Sequence, residues 1–298
     1  APNDSTQKFI NTIQKDLTML SLTLGMIAAC AWGIHDFCIR FVSQRGGILP
    51  AIATVMVGGA LFLLPISGAF GNWSAMTLQS FGLSALSGAI YLFGSIGLYK
   101  AFGIGPVRLV APIVGSYPIL SIGWAALMGQ AVLWDQWLSI LCVIAGVAIV
   151  SMLSDHSESD GSKRAAIGWS LIGAGGFAMA FAVGHLATQV GNELPVILVT
   201  RVTAAAGALA LLALSSSAKF PDRSVWPLLA LMSILDAAAL GIVIAAGNLY
   251  RPEFAAVAAS TFGIITIILA WLFLKERMTI AQWYGVTACF FGIGYLAL

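Results

Sequence analysis

The fold is decided by an uncharged stretch of 54 residues, GGILPAIATVMVGGALFLLPISGAFGNWSAMTLQSFGLSALSGAIYLFGSIGLY, which covers residues 46–99. It contains no Asp, Glu, Lys, Arg or His. The hydrocarbon core of a bilayer is about 30 Å thick, and a helix needs roughly 20 apolar residues to cross it. The stretch therefore predicts two membrane-spanning helices, joined by a turn at Gly71-Asn72-Trp73-Ser74.

The composition of the whole chain extends this prediction. Charged residues make up 9% of it, against about 25% in soluble domains, and the mean hydropathy is +0.95. The net charge is only +2 and no Lys/Arg-rich run occurs, so we expect no nucleic-acid partner. The four cysteines lack metal-ligand spacing and no nucleotide-binding glycine loop is present, so we expect neither a metal nor a cofactor. These features predict a multi-pass integral membrane protein whose partners are the lipid bilayer and a small-molecule substrate.

Charges, turns and Gly/Pro positions divide the chain into ten apolar spans. They must be helices, because a segment in lipid has to satisfy its own backbone hydrogen bonds. The predicted bounds are 17–39, 49–70, 76–99, 107–128, 133–153, 166–187, 194–215, 226–248, 254–274 and 279–298. Lys8 and Lys15 before an apolar run also resemble a secretory signal, but the run continues through Ile34, which favours a membrane span.

The spans fall into two sets of five. Residues 1–16 are predicted to be an N-terminal tail, 17–153 the first repeat, 154–165 a polar linker and 166–298 the second repeat. A shift of 146 residues places Pro106 on Pro252, and a shift of 145 places Pro50 on Pro195. Because five is odd, the second repeat would be inverted in the membrane relative to the first. Inverted repeats of this kind form a transport site at their interface near the bilayer midplane.

The C-terminal part of the chain carries a family resemblance. The run Ala270-Trp271-Leu272-Phe273-Leu274-Lys275-Glu276-Arg277-Met278-Thr279, followed by Gln282, Gly285 and Gly292, resembles the EamA type of the drug/metabolite transporter superfamily. Residues 101–118 resemble the connection between its third and fourth helices, whereas Gln130 and Lys275 stand where the family has Glu and Gly. The resemblance implies an all-α, ten-helix carrier of small organic solutes in the plasma membrane, built from two inverted five-helix repeats.

The orientation of the chain in the membrane is predicted differently by two criteria. Most Lys and Arg lie in the connections after the odd-numbered spans, so the positive-inside rule places these connections in the cytoplasm and both termini outside. The family resemblance implies both termini in the cytoplasm. The odd connections hold Arg40, Arg45, Lys100, Arg108, Lys163, Arg164, Lys219, Arg223, Lys275 and Arg277, against Lys8, Lys15 and Arg251 on the other side.

Several ionisable residues fall inside predicted spans, where a charge is costly and usually faces the interior of the bundle. Arg201 and Asp236 have similar predicted depths, so we expect them to pair, with His185 in the same layer. Asp36 is predicted in a second layer toward the opposite side, near Arg40, Lys100 and Arg108, and its neighbour His35 is predicted at the lipid interface. The alternative for each of these residues is a structural contact that holds helices together.

Aromatic residues complete the predicted site. The resemblance implies that spans 1, 3, 4 and 9 line the cavity, and a ring face there suits an apolar or aromatic substrate group. Ordinary helix packing is the alternative for each ring. The predicted substrate-binding residues are Trp32, Asp36, Tyr91, Tyr99, Tyr117, His185, Arg201, Asp236, Asn248 and Phe262.

Three functional classes are compatible with a helical membrane protein. We expect a carrier that works by alternating access, exporting an amino acid or related metabolite, with Arg201 holding a carboxylate. Asp236 or Asp36 would hold an ammonium or a coupling proton. The alternatives within this class are a nucleotide precursor or a cationic drug-like solute. An intramembrane enzyme is disfavoured because Ala85-Leu86-Ser87-Gly88 matches a serine-protease motif only in part, and a channel because no pore-loop signature occurs.

Overall fold

The computed structural model describes residues 4–117, 119–120, 123, 133–153, 160–215, 220–246, 258–259 and 261–296. Throughout these ranges the regular secondary structure is helical. The helices are α1 (Asp4–Arg45), α2 (Ile48–Phe70), α3 (Leu78–Ile104), α4 (Val107–Gly115), α5 (Trp134–Met152), α6 (Asp160–Gln189), α7 (Glu193–Leu214), α8 (Trp226–Ala246), α9 (Phe262–Phe273) and α10 (Ile280–Leu296).

Most helices agree with the apolar spans predicted from the sequence, but α1 extends beyond the predicted bounds of 17–39 at both ends and includes most of the predicted N-terminal tail. In the described residues six helices are long and apolar enough to cross a membrane, and α5 and α9 contain shorter apolar segments. The predicted break after α2 is confirmed: the chain leaves the helix at Gly71, and Thr77 begins α3 by accepting a hydrogen bond from Ser80 N at 3.0 Å. Most of predicted span 4 beyond residue 115, including Pro118, lies outside the described residues. The chain is therefore an all-helical integral membrane protein.

The two halves of the chain pack against each other in a reciprocal pattern. Helices at the same position in each half are in contact, namely α2 with α7, α4 with α9 and α5 with α10. The remaining major contacts come in pairs of equivalent contacts. The contact of α1 with α8 is equivalent to that of α6 with α3, the contact of α2 with α8 to that of α7 with α3, and the contact of α1 with α9 to that of α6 with α4. The core consequently lies between the halves rather than within either one.

Glycine permits the close packing of α3 on α6. A Cβ atom at Gly97 would lie 2.6 Å from Gly173 N and 2.9 Å from the Trp169 carbonyl oxygen. Both atoms belong to the backbone of α6, so neither can move away without displacing the helix. Gly82, in the same helix α3, has no atom within 4 Å of the corresponding position.

We expect Gly97→Ala to destabilise the protein by about 1–3 kcal/mol, because the added methyl group separates two packed helices. Gly82→Ala is the matched control and should be neutral or slightly stabilising, since alanine is the better helix former by about 1 kcal/mol. Thermal unfolding of both variants in lipid nanodiscs measures the difference. Equal melting temperatures would contradict the close helix contact.

One end of the bundle is closed by hydrogen bonds between backbone and side chains. Arg40 near the end of α1 donates from Nη1 to the carbonyl oxygens of Phe102 and Gly105, at 2.7 and 2.9 Å. Glu276, between α9 and α10, accepts from the backbone N–H groups of Val107 and Arg108 at 3.1 and 3.2 Å. The first two N–H groups of α4 are thus capped by a carboxylate from the other half of the chain. We call this arrangement of Arg40, Glu276 and their partners the closed end.

Candidate functional site

Two adjoining cavities lie between the halves. The inner cavity has a volume of about 50 Å³ and the outer cavity about 500 Å³. They share four lining residues, Trp32, Tyr91, Tyr117 and Phe181. Of the residues predicted from the sequence, the inner cavity is lined by Trp32, Asp36, Tyr91, Tyr99, Tyr117, Asp236 and Phe262, and the outer cavity adds His185 and Arg201. Asn248 lies outside the described residues.

An ion pair between Arg201 and Asp236 stands at the centre of the site. Arg201 Nη1 donates to Asp236 Oδ2, which joins α7 to α8 as the sequence predicted. The other carboxylate oxygen, Oδ1, lies 3.2 Å from both donors that reach it from the first half, Trp32 Nε1 and Tyr91 Oη. Asp236 therefore binds to three helices besides its own and holds the two halves together.

The Arg201 guanidinium has N–H groups that the ion pair with Asp236 does not use. Its face packs on the Tyr91 ring, with Cζ 4.7 Å from the ring centroid, and Nη1 also lies 3.7 Å from Met56 Sδ. The side chain is 1% exposed, and Nε has no hydrogen-bond partner among the described residues. A buried N–H without a partner is costly, and Arg201 is one of the residues that line the outer cavity.

The prediction of a separate second polar layer is wrong. His35 and Asp36 are each 5% exposed, their Nδ1 and Oδ1 atoms lie 2.9 Å apart, and both residues line the inner cavity together with Asp236. His35 is therefore not at the lipid interface. The error comes from ending the first span at residue 39, since α1 continues to Arg45. At 1.5 Å per residue this places His35 about 15 Å from the end of the helix.

The basic residues expected in that layer lie outside the two cavities. Arg40 binds the carbonyl oxygens of the closed end. The ammonium of Lys100 lies 4.0 Å from the centroid of the Trp169 ring, a cation–π contact. Arg108 Nη1 is 4.0 Å from Glu276 Oε2, also at the closed end. The charges of the cavity walls consequently come from other residues, Asp36, Glu193, Arg201 and Asp236, with His35 and His185 as ionisable neighbours.

Sequence reasoning missed two aromatic residues of α6, Phe177 and Phe181. The Phe177 ring packs on Tyr91 with centroids 5.3 Å apart, and the Phe181 ring packs on Tyr117 at 5.5 Å. The corresponding contact between α1 and α9 is that of Trp32 with Phe262, at 6.3 Å. The shift of 145 residues contains the missing signal, because it places Phe177 on Trp32.

The same shift relates other cavity residues in pairs, so each half supplies the same positions with different side chains. Where one half has a charge, the other has an aromatic or thioether group. The pairs are Trp32 with Phe177, Asp36 with Phe181, Met56 with Arg201, Tyr91 with Asp236 and Tyr117 with Phe262. The site is thus built from equivalent positions but is chemically asymmetric.

Comparison with known proteins agrees with a chain made of two repeats. The model of the EamA-like transporter family matches residues 19–152 and again 165–298. An uncharacterized protein of Methanocaldococcus jannaschii is 22% identical over 133 residues, which are 44% of this chain and 96% of that protein. One protein crystal structure superposes with a TM-score of 0.60 at 13% identity, covering 93% of this chain and 96% of the other, a likeness of fold alone.

Proposed function

The chain belongs to the EamA-like transporter family, and on that premise we propose that it carries an amino acid or related small metabolite across the membrane by alternating access. The protein is a multi-pass membrane transporter, and small-molecule transport is the family's activity. The observation that carries the proposal about the substrate is Arg201, which lines the outer cavity and whose buried Nε has no hydrogen-bond partner among the described residues. A carboxylate is the group that a guanidinium recognises best.

The proposed architecture is ten membrane-spanning helices in two inverted repeats of five. The family model matches each half, and helices at equal positions of the two halves pack together. This reciprocity supports a two-fold relation between the halves. With five crossings in the first half, the second half starts on the opposite side of the membrane, which puts the axis in the membrane plane.

Alternating access is supported by the different states of the two ends of the bundle. At the closed end, Arg40 joins α1 to the end of α3, and Glu276 joins α4 to the α9–α10 connection. The outer cavity reaches Thr188 and Glu193, which flank the α6–α7 connection. In that connection, Asn192 Oδ1 accepts a hydrogen bond from Asn72 N of the α2–α3 connection at 3.1 Å. The α6–α7 connection therefore lies near the start of α3, whereas Gly105 lies at the end of α3. A carrier with one end sealed and a cavity extending toward the other has the geometry of a single-sided state.

The outer cavity suits an amino acid in size and chemistry. Its volume of about 500 Å³ falls within the range of about 300–1,000 Å³ typical of small-molecule sites. The substrate carboxylate would bind Arg201 Nε, and its ammonium would bind Asp236 Oδ1 after displacing Trp32 or Tyr91. Ring faces of the shared wall would further stabilise the ammonium or pack on an aromatic side chain.

The proposed direction is export across the plasma membrane, with a proton as the coupling ion. The positive-inside rule places the closed end in the cytoplasm, because Arg40, Arg108 and Lys275 lie at that end. The family resemblance supports the opposite orientation. Labelling of cysteines introduced at Ser74 and Arg277 in intact cells with an impermeant reagent would assign the two ends.

Counterflow in proteoliposomes tests the proposed substrate class. Liposomes preloaded with an unlabelled compound receive the same labelled compound outside, using phenylalanine, phenethylamine, 3-phenylpropionate and uridine in parallel. We expect transient accumulation of phenylalanine alone, because the amine lacks the group for Arg201 and the acid lacks the group for Asp236.

The other outcomes discriminate between alternatives. Accumulation of phenethylamine without phenylalanine would favour a cationic drug-like solute, and accumulation of uridine a nucleotide precursor. Transport of all four compounds without saturation would indicate a pore. Liposomes without protein and liposomes with the Gly82→Ala variant, whose substitution lies away from the cavities, provide the two controls.

A further inference from the structure

The inner cavity contains two buried polar atoms that lack a partner among the described residues. These are His35 Nε2 and Tyr99 Oη, on side chains that are 5% and 1% exposed. Both residues line the cavity, and their rings pack edge to face with centroids 6.4 Å apart. Since buried polar groups are almost always hydrogen-bonded, an occupant has to supply the missing contacts.

The volume of the inner cavity limits what that occupant can be. A water molecule needs roughly 10–15 Å³ of cavity volume, so about 50 Å³ holds a few waters and no metabolite. The walls carry two carboxylates, Asp36 and Asp236, besides the unpartnered donor and acceptor atoms. A small, acidic chamber with room for water, next to the solute cavity, has the chemistry of a site for an exchangeable proton.

We propose that the inner cavity holds a proton site next to the solute site, with His35 as the group that carries the proton. The assignment of this proton to coupling rests on the carrier function proposed above. The ligand of this site is a proton, which hydronium in the cavity water delivers. This gives the carrier a coupling residue that sequence reasoning placed at the lipid interface.

The hydrogen bond between the His35 imidazole and Asp36 determines which ring nitrogen exchanges a proton. Nδ1 lies 2.9 Å from Asp36 Oδ1; with the carboxylate ionised, Nδ1 carries the hydrogen and donates it. The Nε2 lone pair is then free to bind a proton from the cavity water, which forms an imidazolium held by Asp36. Release of that proton to water restores the neutral ring with its hydrogen still on Nδ1. No other bond forms or breaks, and Asp36 positions the ring in both states.

The groups that face His35 are compatible with both the protonated and the neutral imidazole. Burial is the largest effect and disfavours a positive ring, the carboxylates of Asp36 and Asp236 favour it, and the charge of Arg201 opposes it. Asp236 is itself bound by Arg201, Trp32 and Tyr91, and is therefore less able to exchange a proton than the free Nε2 atom. Helices α2 and α9 pack on the same region and contain no ionisable residue within their bounds. The titratable or charged groups around the ring are Asp36, Cys38, Tyr91, Tyr99, Arg201 and Asp236.

Nitrogen NMR of histidine rings in nanodiscs tests the site without any transport substrate. The chain has three histidines, His35, His156 and His185, and the His35 signals are those that disappear in His35→Asn. We expect Nδ1 to stay protonated from about pH 5 to about pH 9, while Nε2 changes from protonated to unprotonated. A His35 ring that keeps one protonation state over this range would overturn the proposal.

Tyr99→Phe tests whether the cavity is wet. If water binds the Tyr99 hydroxyl, its removal should leave the melting temperature unchanged or lower it. A higher melting temperature would mean that the hydroxyl had no partner at all, so that the cavity is dry and cannot deliver protons.

Transport measurements separate this proposal from the general function. With labelled phenylalanine as the probe, His35→Asn should retain counterflow but lose accumulation driven by a pH gradient. Gradient-driven accumulation unchanged from wild type would overturn the coupling role while the carrier function stands. Titration of His35 in a protein that moves no probe would leave the proton site in place and contradict the proposed substrate instead.

Discussion

Replacement of Arg201 by methionine should destabilise the protein more than replacement of Arg201 and Asp236 together. Removing one partner of a buried ion pair leaves an uncompensated charge, which costs about 3–5 kcal/mol. The single variant Arg201→Met leaves the Asp236 carboxylate without its positive partner among apolar helices, at a position that is 3% exposed. The double variant Arg201→Met/Asp236→Asn removes both charges, and the new asparagine can still accept from Trp32 and Tyr91. Thermal unfolding of the two single variants and the double variant in nanodiscs gives the coupling free energy directly.

Methionine is the natural replacement because Met56 stands at the equivalent position of the first half. The Met56 sulfur already lies 3.7 Å from Arg201 Nη1, so the two positions meet where α2 packs on α7. A thioether there fills irregular space without a charge. A double variant as unstable as Arg201→Met would show that the ion pair is not the source of the stability.

The conservative variant Arg201→Lys separates the structural role from the transport role. Lysine keeps a positive charge for Asp236, so most of the stability should remain. It has one ammonium group in place of the planar guanidinium, and cannot serve Asp236 and a substrate carboxylate from separate nitrogens. We expect phenylalanine counterflow to fall at least about tenfold, which is 1.4 kcal/mol of lost interaction. Wild-type counterflow in this variant would contradict a role for Arg201 Nε in binding.

The sequence predicted the helices well because lipid imposes a simple rule on them. A run without charges must pair its own backbone, and α2 and α3 follow the uncharged stretch from residue 46 to 99 closely. The Arg201–Asp236 pair was predictable for the same reason: opposite charges at equal depth in lipid have few other partners.

Charges that bind the backbone of another helix could not be placed from the sequence. Arg40 looked like the end of a span, yet α1 continues past it because the carbonyl oxygens of Phe102 and Gly105 satisfy its guanidinium. Those partners are 62 and 65 residues away in the chain. The misplaced helix end in turn led to the prediction of Asp36 in a second polar layer and of His35 at the lipid interface. Residues without charge, such as Phe177, are recognisable only once the shift between the repeats is applied.

Replacement of Glu276 by alanine should open the closed end. The Glu276 carboxylate accepts from two N–H groups at the start of α4, and its loss removes a contact between the two halves. Loss of a helix cap costs about 0.5–2 kcal/mol, which changes a two-state ratio roughly 2- to 30-fold, since about 1.4 kcal/mol is tenfold. The fraction of molecules open at this end should therefore rise by that factor.

A native cysteine reports the opening. Cys38 lies in α1 two residues before Arg40 and is 5% exposed, so a water-soluble maleimide should label it slowly while the end is closed. With Cys30, Cys142 and Cys289 replaced by alanine, the labelling rate of Cys38 measures access alone. We expect Glu276→Ala to raise this rate roughly 2- to 30-fold, and Glu276→Gln to give an intermediate rate, because the amide keeps only one acceptor oxygen.

The neighbouring residue provides the matched control. Lys275 has a φ of 53°, in the left-handed region that costs a non-glycine residue about 1–2 kcal/mol. Lys275→Gly should relieve this strain and raise the melting temperature, which also explains why the EamA pattern has glycine at this position. Because the variant leaves the Glu276 carboxylate in place, Cys38 labelling should stay at the parent rate. Equal labelling in Glu276→Ala and Lys275→Gly would contradict the role of the cap, and would leave Arg40 as the residue that holds the end closed.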